Sequence, residues 1–402
     1  MEETPRPDRS SGEPSNVLGE VADAVGLQEG EAGVREVLRA VYLLSPPATR
    51  AVSRQTGIPV PIVAAINNEL RVRGILTRDR PARLTGQGAA LVERLGIPTS
   101  LDATCEHCHG RGITIPEELT AAVQSLRHIM SQAPAVDLTL DQSHCTPETK
   151  VRRVLFMIRA GALPGESLLL VGDDDLIALA IGVVGVILGA PLVRRLAVVD
   201  ISPEILRFLD EQLSSMGLPA ELVRHDLRAP LPVVLRGQFG AAMTDPPYTP
   251  DGARLFLSRA VEGLSGGPGR VVFLSFGPKG PDDAFQVQQS ITDLGLTTTA
   301  MIRNFNEYEG AGILGGTCHL LQLATTSHTR PLVEGTYQGP LYTADMRDAA
   351  RAYQCRSCGD KIPVRPASRW SSVGQLKAEG CPRCGGRRFR PLQLIPAHRS
   401  RG

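Results

Sequence analysis

Two short runs in this chain hold residues whose types and spacing suit a defined chemistry. In Thr244-Asp245-Pro246-Pro247-Tyr248-Thr249, a carboxylate and a backbone stiffened by two prolines can fix the direction of a nitrogen lone pair, and Tyr248 can pack against a cationic centre. That chemistry is the alkylation of an amine. In Gly172-Asp173-Asp174-Asp175, three carboxylates stand where a nucleotide-binding sheet ordinarily carries a glycine-rich turn. They repel a ligand carboxylate and attract ammonium groups. Helix capping and the helix dipole account for one such acid. Three adjacent like charges cost stability unless a cation or metal resolves the repulsion.

Further candidates follow in chain order. Asp200 ends Val198-Val199-Asp200, a position suited to a ribose diol, and Asp226 in His225-Asp226-Leu227 suits an adenine amino group, a solvent-facing loop being the alternative for Asp226. Glu307 and Glu309 flank Tyr308 in Asn304-Phe305-Asn306-Glu307-Tyr308-Glu309-Gly310, either as part of an amine groove or as a solvated loop. Cys355-x-x-Cys358 and Cys381-x-x-Cys384 supply four thiolates on two tight turns, the pattern of a structural zinc ribbon. A third pair, Cys105 and Cys108, is expected to join Cys145 or His144 in a second metal site, or else to be an exposed thiol pair.

The elements that must position these residues are an alternation of strands and helices. Ser167 to Val171, Arg195 to Val199, Ala220 to Val223, Gly240 to Thr244 and Arg270 to Phe276 read as strands, with helices over Leu176 to Leu188, Pro203 to Met216, Gly252 to Gly263 and Asp283 to Leu294. This predicts an α/β fold, a doubly wound Rossmann-like sheet of the methyltransferase type over residues 151–345. Its ligands belong at the carboxyl ends of the strands. Ahead of it, residues 31–98 read as a winged helix-turn-helix with Pro61 to Arg73 in the recognition position, after a disordered tail at 1–30. A connector spans 99–150, and the zinc ribbon and a tail occupy 346–402.

Composition bounds the alternatives. With 43 basic and 42 acidic residues, no global field favours nucleic acid or an anionic membrane. Aromatics at 4% argue against a surface built to stack on single-stranded bases. The apolar run Leu176 to Val193 contains Gly182, Gly185, Gly189 and Pro191 and follows a strand, so it reads as a buried helix and not a membrane span. Cysteine pairs spaced for metal, with no signal peptide visible, point to a reducing, cytoplasmic setting.

Taken in order, Asp141-Gln142, Thr146-Pro147-Glu148-Thr149, Gly172-Asp173-Asp174-Asp175, His225-Asp226-Leu227-Arg228, Asp245-Pro246-Pro247-Tyr248-Thr249 and Phe305-Asn306-x-Tyr308 resemble the branched-chain polyamine synthases over roughly residues 34–325. The resemblance implies transfer of aminopropyl groups from decarboxylated S-adenosylmethionine to the central nitrogen of spermidine. It implies Asp174, Asp245 and Tyr248 as catalytic residues. Gly172, Asp173, Asp175, Asp200, Asp226, Pro246, Pro247, Glu307, Tyr308 and Gln142 would then contact substrate or donor. A homodimer is expected, with nucleic acid not favoured as a partner. The alternatives are an amino-methyltransferase acting on nucleic acid and a DNA-binding regulator with an adenosyl-ligand sensor.

Overall fold

The computed structural model describes residues 14–99, 104–137, 140–309, 316–342, 351–364, 369–370 and 373–392. At its centre is a seven-stranded sheet made of β1 (Glu166–Val171), β2 (Val193–Asp200), β3 (Glu221–Arg224), β4 (Ala241–Thr244), β5 (Val271–Phe276), β6 (Leu296–Glu307) and β7 (Thr317–Thr325). The strand order is β3-β2-β1-β4-β5-β7-β6. The first five strands pair in parallel, and β7 enters antiparallel between β5 and β6. The order reverses between β1 and β4, which opens a crevice at their carboxyl ends.

The interior strands are buried along nearly their whole length, as expected of strands covered on both faces. On one face lie α6 (Thr120–Met130), α7 (Pro147–Arg159), α8 (Ile177–Leu188) and α9 (Pro203–Ser215). On the other lie α10 (Pro250–Gly263) and α11 (Pro281–Asp293). Helix α8 is apolar all round because it is packed by α6, α7 and α9. Among the described residues, no helix is long and apolar enough to cross a membrane.

Three expectations need correction. The segment from residue 14 is not a tail: α1 (Pro14–Val25) is a helix whose Leu18, Val21 and Ala22 are buried on the following helices. Their three- and four-residue spacing was masked by the proline- and charge-rich start, which itself lies outside the described residues. The stretch from Ile113 to Lys150 is not a connector between domains, since α6 and the start of α7 belong to the sheet's helical layer. The long β6–β7 pair had no counterpart in the sequence reading, because threonine-rich β6 alternates exposed and half-buried positions instead of forming an apolar run.

In the amino-terminal region, α2 (Gly30–Leu43), α3 (Thr49–Thr56), α4 (Val60–Val72) and α5 (Gly86–Arg94) enclose a separate core, with one short antiparallel bridge between Leu76 and Leu84. Two of its arginines are engaged locally. Arg71 donates to Asn68 and to the Thr77 carbonyl, and Arg73 pairs with Glu69 and Glu20.

Strands β8 (Arg351–Cys355), β9 (Lys361–Val364) and β10 (Phe389–Pro391) form a small antiparallel sheet in the order β10-β8-β9. It carries Cys355, Cys358, Cys381 and Cys384, whose sulfurs all lie within 4.8 Å of one another. The pairs Cys355–Cys384 and Cys358–Cys381 are each 3.6 Å apart. Tetrahedral coordination with Zn–S bonds of about 2.3 Å requires sulfurs about 3.8 Å apart, so the cluster fits a structural zinc. Arg356 reaches across to donate to the Asp23 and Ala24 carbonyls at the end of α1, satisfying groups a helix terminus leaves open.

The ribbon's own core holds only a few buried side chains around Trp370 and Leu376, too few to hold it without metal. Strong chelation is expected to open residues 351–392 to limited proteolysis while calorimetry shows the main thermal transition of the sheet unchanged.

Candidate active site

The crevice at the β1–β4 switch is lined by Asp141, Asp174, Asp200, Asp226 and Asp245, together with Gln142, Gly172, His225, Pro247, Phe256 and Tyr342 among others. Among the described residues no lysine or arginine lines it, although Arg153 pairs with Asp245 from behind and Arg228 lies 3.8 Å from Asp226. Five carboxyl groups on one crevice favour a cationic ligand over an anionic one.

The three consecutive aspartates point three ways. Gly172 turns the chain with φ of 75°, a left-handed conformation that suits glycine. Asp173 then folds over the start of α8, accepting from Ile177 N at 2.6 Å and Ala178 N at 3.0 Å, while its own N–H donates to Asp200 Oδ2 at 3.0 Å. It is a cap, buried, with burial pushing its pKa up to about 8 against those two donors. Asp175 points to the opposite side, taking Arg153 Nη1 at 2.6 Å and Cys145 N at 2.6 Å. Burial opposes its ionisation, but Arg153 and Lys150 outweigh burial and hold its carboxyl below the usual range.

Asp174 alone of the three lines the crevice. It accepts one N–H, from Ser143 at 3.1 Å. Its pKa stands well above the ordinary carboxylate value, through burial first and then through Asp175, Asp245 and Asp200. The loop is held by His144, whose Nδ1 sits 2.6 Å from the Asp174 carbonyl and whose Nε2 sits 3.2 Å from that of Pro134.

On the β4 side, Asp245 is fixed by Arg153 Nη2 at 2.8 Å and by the Tyr308 hydroxyl. Burial and neighbouring Asp175 raise its pKa to about 8. The following prolines are rigid, Pro247 facing the crevice. Thr249 caps α10 through Gly252 N at 2.9 Å. A Cβ on Gly252 would meet the Pro247 carbonyl at 2.4 Å, so only glycine lets the helix approach this loop. Lys279 donates to the Tyr248 carbonyl, and Tyr248 places its ring edge-on to Phe276 and its hydroxyl 3.1 Å from Cys318 Sγ.

Asp200 sits at the end of β2, anchored by Ser202 N at 2.8 Å, with burial raising its pKa. Asp226 is held by Arg228 N at 2.9 Å. A strap after β7, residues 331–342, carries Leu341 and Tyr342 to the crevice, and Thr249 donates to the Leu341 carbonyl at 2.9 Å. Buried Arg259 ties this strap to the Asp226 loop by donating to the carbonyls of Leu227, Arg228, Val333 and Gly335.

Several expected site residues therefore lie elsewhere. Asp173 and Asp175 do not line the crevice, nor do Pro246, Tyr248 and Tyr308, which support Asp245 and its loop from behind. Glu307 lies away from it, paired with Arg111 at 2.8 Å and near Arg54 and Arg152 at 3.8 Å each. Strand alternation sends Asn306 to the buried Arg153 and its neighbour Glu307 to the other side. Cys145 is fully buried beside Lys150, 3.6 Å from its Nζ. Among the described residues it joins no cluster with Cys105 and Cys108.

Arg153 is the residue that the sequence reading passed over. It is 1% exposed, and so is the Lys150 face of α7 on which it lies. A basic side chain on the apolar stripe of a helix, beside Val154 and Met157, was the available signal.

Residues 121–333 match the sequence family described as the branched-chain polyamine synthase A C-terminal domain. An uncharacterized protein of Methanocaldococcus jannaschii, MJ0675, is 34% identical over 94% of this chain and 93% of its own length. The N(4)-bis(aminopropyl)spermidine synthase of Thermococcus kodakarensis is 32% identical over 63% of this chain and 72% of its own. The crystal structure of the Thermus thermophilus branched-chain polyamine synthase, in complex with N4-aminopropylspermidine and 5'-methylthioadenosine, superposes with a TM-score of 0.68 at 26% identity, covering 83% of this chain and 97% of that one.

Replacing Arg153 by Met removes the counter-charge that Asp175 and Asp245 share and leaves only Lys150 beside Asp175. The expected loss is about 3–5 kcal/mol of folding stability, measured by denaturant unfolding, with a smaller loss for Arg153→Lys.

Proposed function

This chain belongs to the branched-chain polyamine synthase family, and on that premise we propose that it transfers aminopropyl groups from decarboxylated S-adenosylmethionine to the central secondary nitrogen of spermidine. The products are a branched polyamine and methylthioadenosine. The observation that carries this reading is the crevice of five aspartates without a lining lysine or arginine. An ordinary adenosylmethionine would set its carboxylate against that field, whereas the decarboxylated donor brings only positive charge.

In this reading Asp200 takes the ribose diol, and the Asp226 loop with Phe256 and Tyr342 encloses the adenine. Gln142 and Asp141 hold acceptor amines at the opposite wall. Asp174 takes the proton from the central nitrogen, a task for which a carboxyl held well above its ordinary pKa is suited. The freed lone pair attacks the propyl carbon bonded to sulfur. The C–S bond breaks, its electron pair stays on sulfur, and neutral methylthioadenosine leaves. Asp245 and the rigid Pro246-Pro247 backbone direct the nitrogen, with Arg153 and Tyr308 holding Asp245 in place. Tyr248 acts in this scheme as a prop for the loop.

A homodimer in a reducing, cytoplasmic setting belongs to the same proposal, the setting favoured by four ribbon cysteines arranged for zinc. Nucleic acid is not favoured as a partner, since the acidic crevice opposes phosphate and Arg71 and Arg73 are engaged within their own domain.

Incubation of the purified chain with spermidine and decarboxylated S-adenosylmethionine should yield products heavier by aminopropyl steps in mass spectrometry. Absence of such products, with methylation of RNA or DNA from ordinary adenosylmethionine, would overturn the reading. Asp174→Asn is expected to lower kcat by about 10²–10⁴-fold with the fold intact. Asp173→Asn should instead cost about 1 kcal/mol of stability or less and spare the chemical step.

The raised carboxyls also set a pH dependence. Asp245, near 8, holds its proton in the empty crevice at neutral pH, the Asp174 carboxyl beside it is raised as well, and a bound polycation pulls both pKa values down. Binding of spermidine must therefore release protons, and affinity should rise as pH climbs toward 8. Calorimetry in buffers of different ionisation enthalpy measures the release, and heats independent of buffer would contradict it.

A further inference from the structure

The turn Cys105-Glu106-His107-Cys108-His109-Gly110 has no role in the crevice, yet its backbone repeats that of the two zinc-ribbon turns. In each, the N–H four residues after the first cysteine donates to that cysteine's carbonyl: His109 to Cys105 at 2.8 Å, Gly359 to Cys355 at 2.9 Å and Gly385 to Cys381 at 2.8 Å. The donating residue is left-handed in all three, with φ of 48°, 75° and 68°. At two of the turns it is glycine; at the first it is His109, which takes this conformation at a steric cost. At each turn backbone N–H groups beyond the second cysteine favour its thiolate: Gly112 first and Gly110 with it at Cys108, Asp360 at Cys358 and Gly386 at Cys384. Such N–H groups stabilise a thiolate that is bound to metal.

What differs is the number of ligands. The ribbon brings two turns together, whereas among the described residues no third cysteine, histidine or carboxylate joins Cys105 and Cys108. Cys105 is exposed and Cys108 partly so. We propose that Cys105 and Cys108 form half of a zinc-thiolate site, which the same pair from a second copy of this chain completes across a two-fold axis. A two-fold axis brings identical patches together, so two equal turns supply the four sulfurs of a tetrahedron. Zinc binding displaces the thiol protons to solvent and needs no oxidant. The bridge lies close to the active framework, because Arg111 in the same turn donates to the Asn304 carbonyl at 3.1 Å and to Glu307 at 2.8 Å on β6.

This rests on the homodimer of the proposed reading, and the test separates the two. The full-length chain is purified with zinc, its dimer fraction isolated by gel filtration, and its zinc counted by elemental mass spectrometry. The wild type is expected to hold about one and a half zinc ions per chain, one in the ribbon and half in the bridge. Cys105→Ser/Cys108→Ser should hold about one, and Cys355→Ser/Cys358→Ser should keep the half equivalent in its dimer fraction. About one zinc per chain in both the wild type and the Cys105/Cys108 variant overturns the bridge but leaves the dimer. About two in the wild type makes the site complete within one chain and overturns the sharing. A chain that is monomeric with zinc present removes the homodimer and the bridge together.

Discussion

A single buried guanidinium organises the centre of this protein. Arg153 sends Nη1 to Asp175, Nη2 to Asp245 and Tyr308, and Nε to Asn306. These partners come from the turn after β1, the loop after β4 and the end of β6, so one side chain on α7 fixes the mutual position of three segments. An ion buried this deeply is tolerable only because nearly every donor of its fork is used. The same bonds leave the two carboxyls with distinct characters. Asp175 is ionised and turned away from the crevice, and Asp245 is raised toward neutrality and lines it.

Around that anchor the crevice is acidic by design of its backbone as much as by its residue count. Asp173 is consumed by the start of α8 and Asp175 by Arg153, which leaves Asp174 exposed to the ligand with only one N–H donor. Burial, and then crowding by Asp175, Asp245 and Asp200, raises its pKa well above the ordinary carboxylate value. The acidic loop thus divides into a cap, a crevice-lining carboxyl and an ion-pair partner, three placements that follow from chain direction. Remote pieces refine the walls: Arg259 clamps the 331–342 strap to the Asp226 loop, and Gly252 lets α10 close on Pro247.

The parallel strands were readable because strands covered on both faces must be apolar, and their bounds in the structure differ from the expected ones by a residue or two. Antiparallel β6 carries no such signature, since its side chains alternate between environments. Helix α1 was hidden by composition, and α6 lies in a stretch read as a connector, its packing on α8 being a contact between segments distant in sequence. Of the site, Asp174, Asp245, Asp200, Asp226, Gln142 and Pro247 were legible as motif residues and do line the crevice. Arg153, Phe256 and Tyr342 were not singled out, because each takes its place through contacts with segments distant in sequence.

The sequence by itself determined the alternation of strands and helices, the four-thiolate ribbon and the concentration of acid beside an amine-directing loop. Those features depend on local spacing and residue type, which the chain carries wherever it folds. Only the tertiary structure decided which of the three consecutive aspartates lines the crevice, that Glu307 is neutralised by arginines away from it, and that Cys145 is buried apart from the Cys105 turn. Side-chain direction and counter-charge are set by packing between distant segments, and a carboxylate's chemistry is set by its neighbours in space.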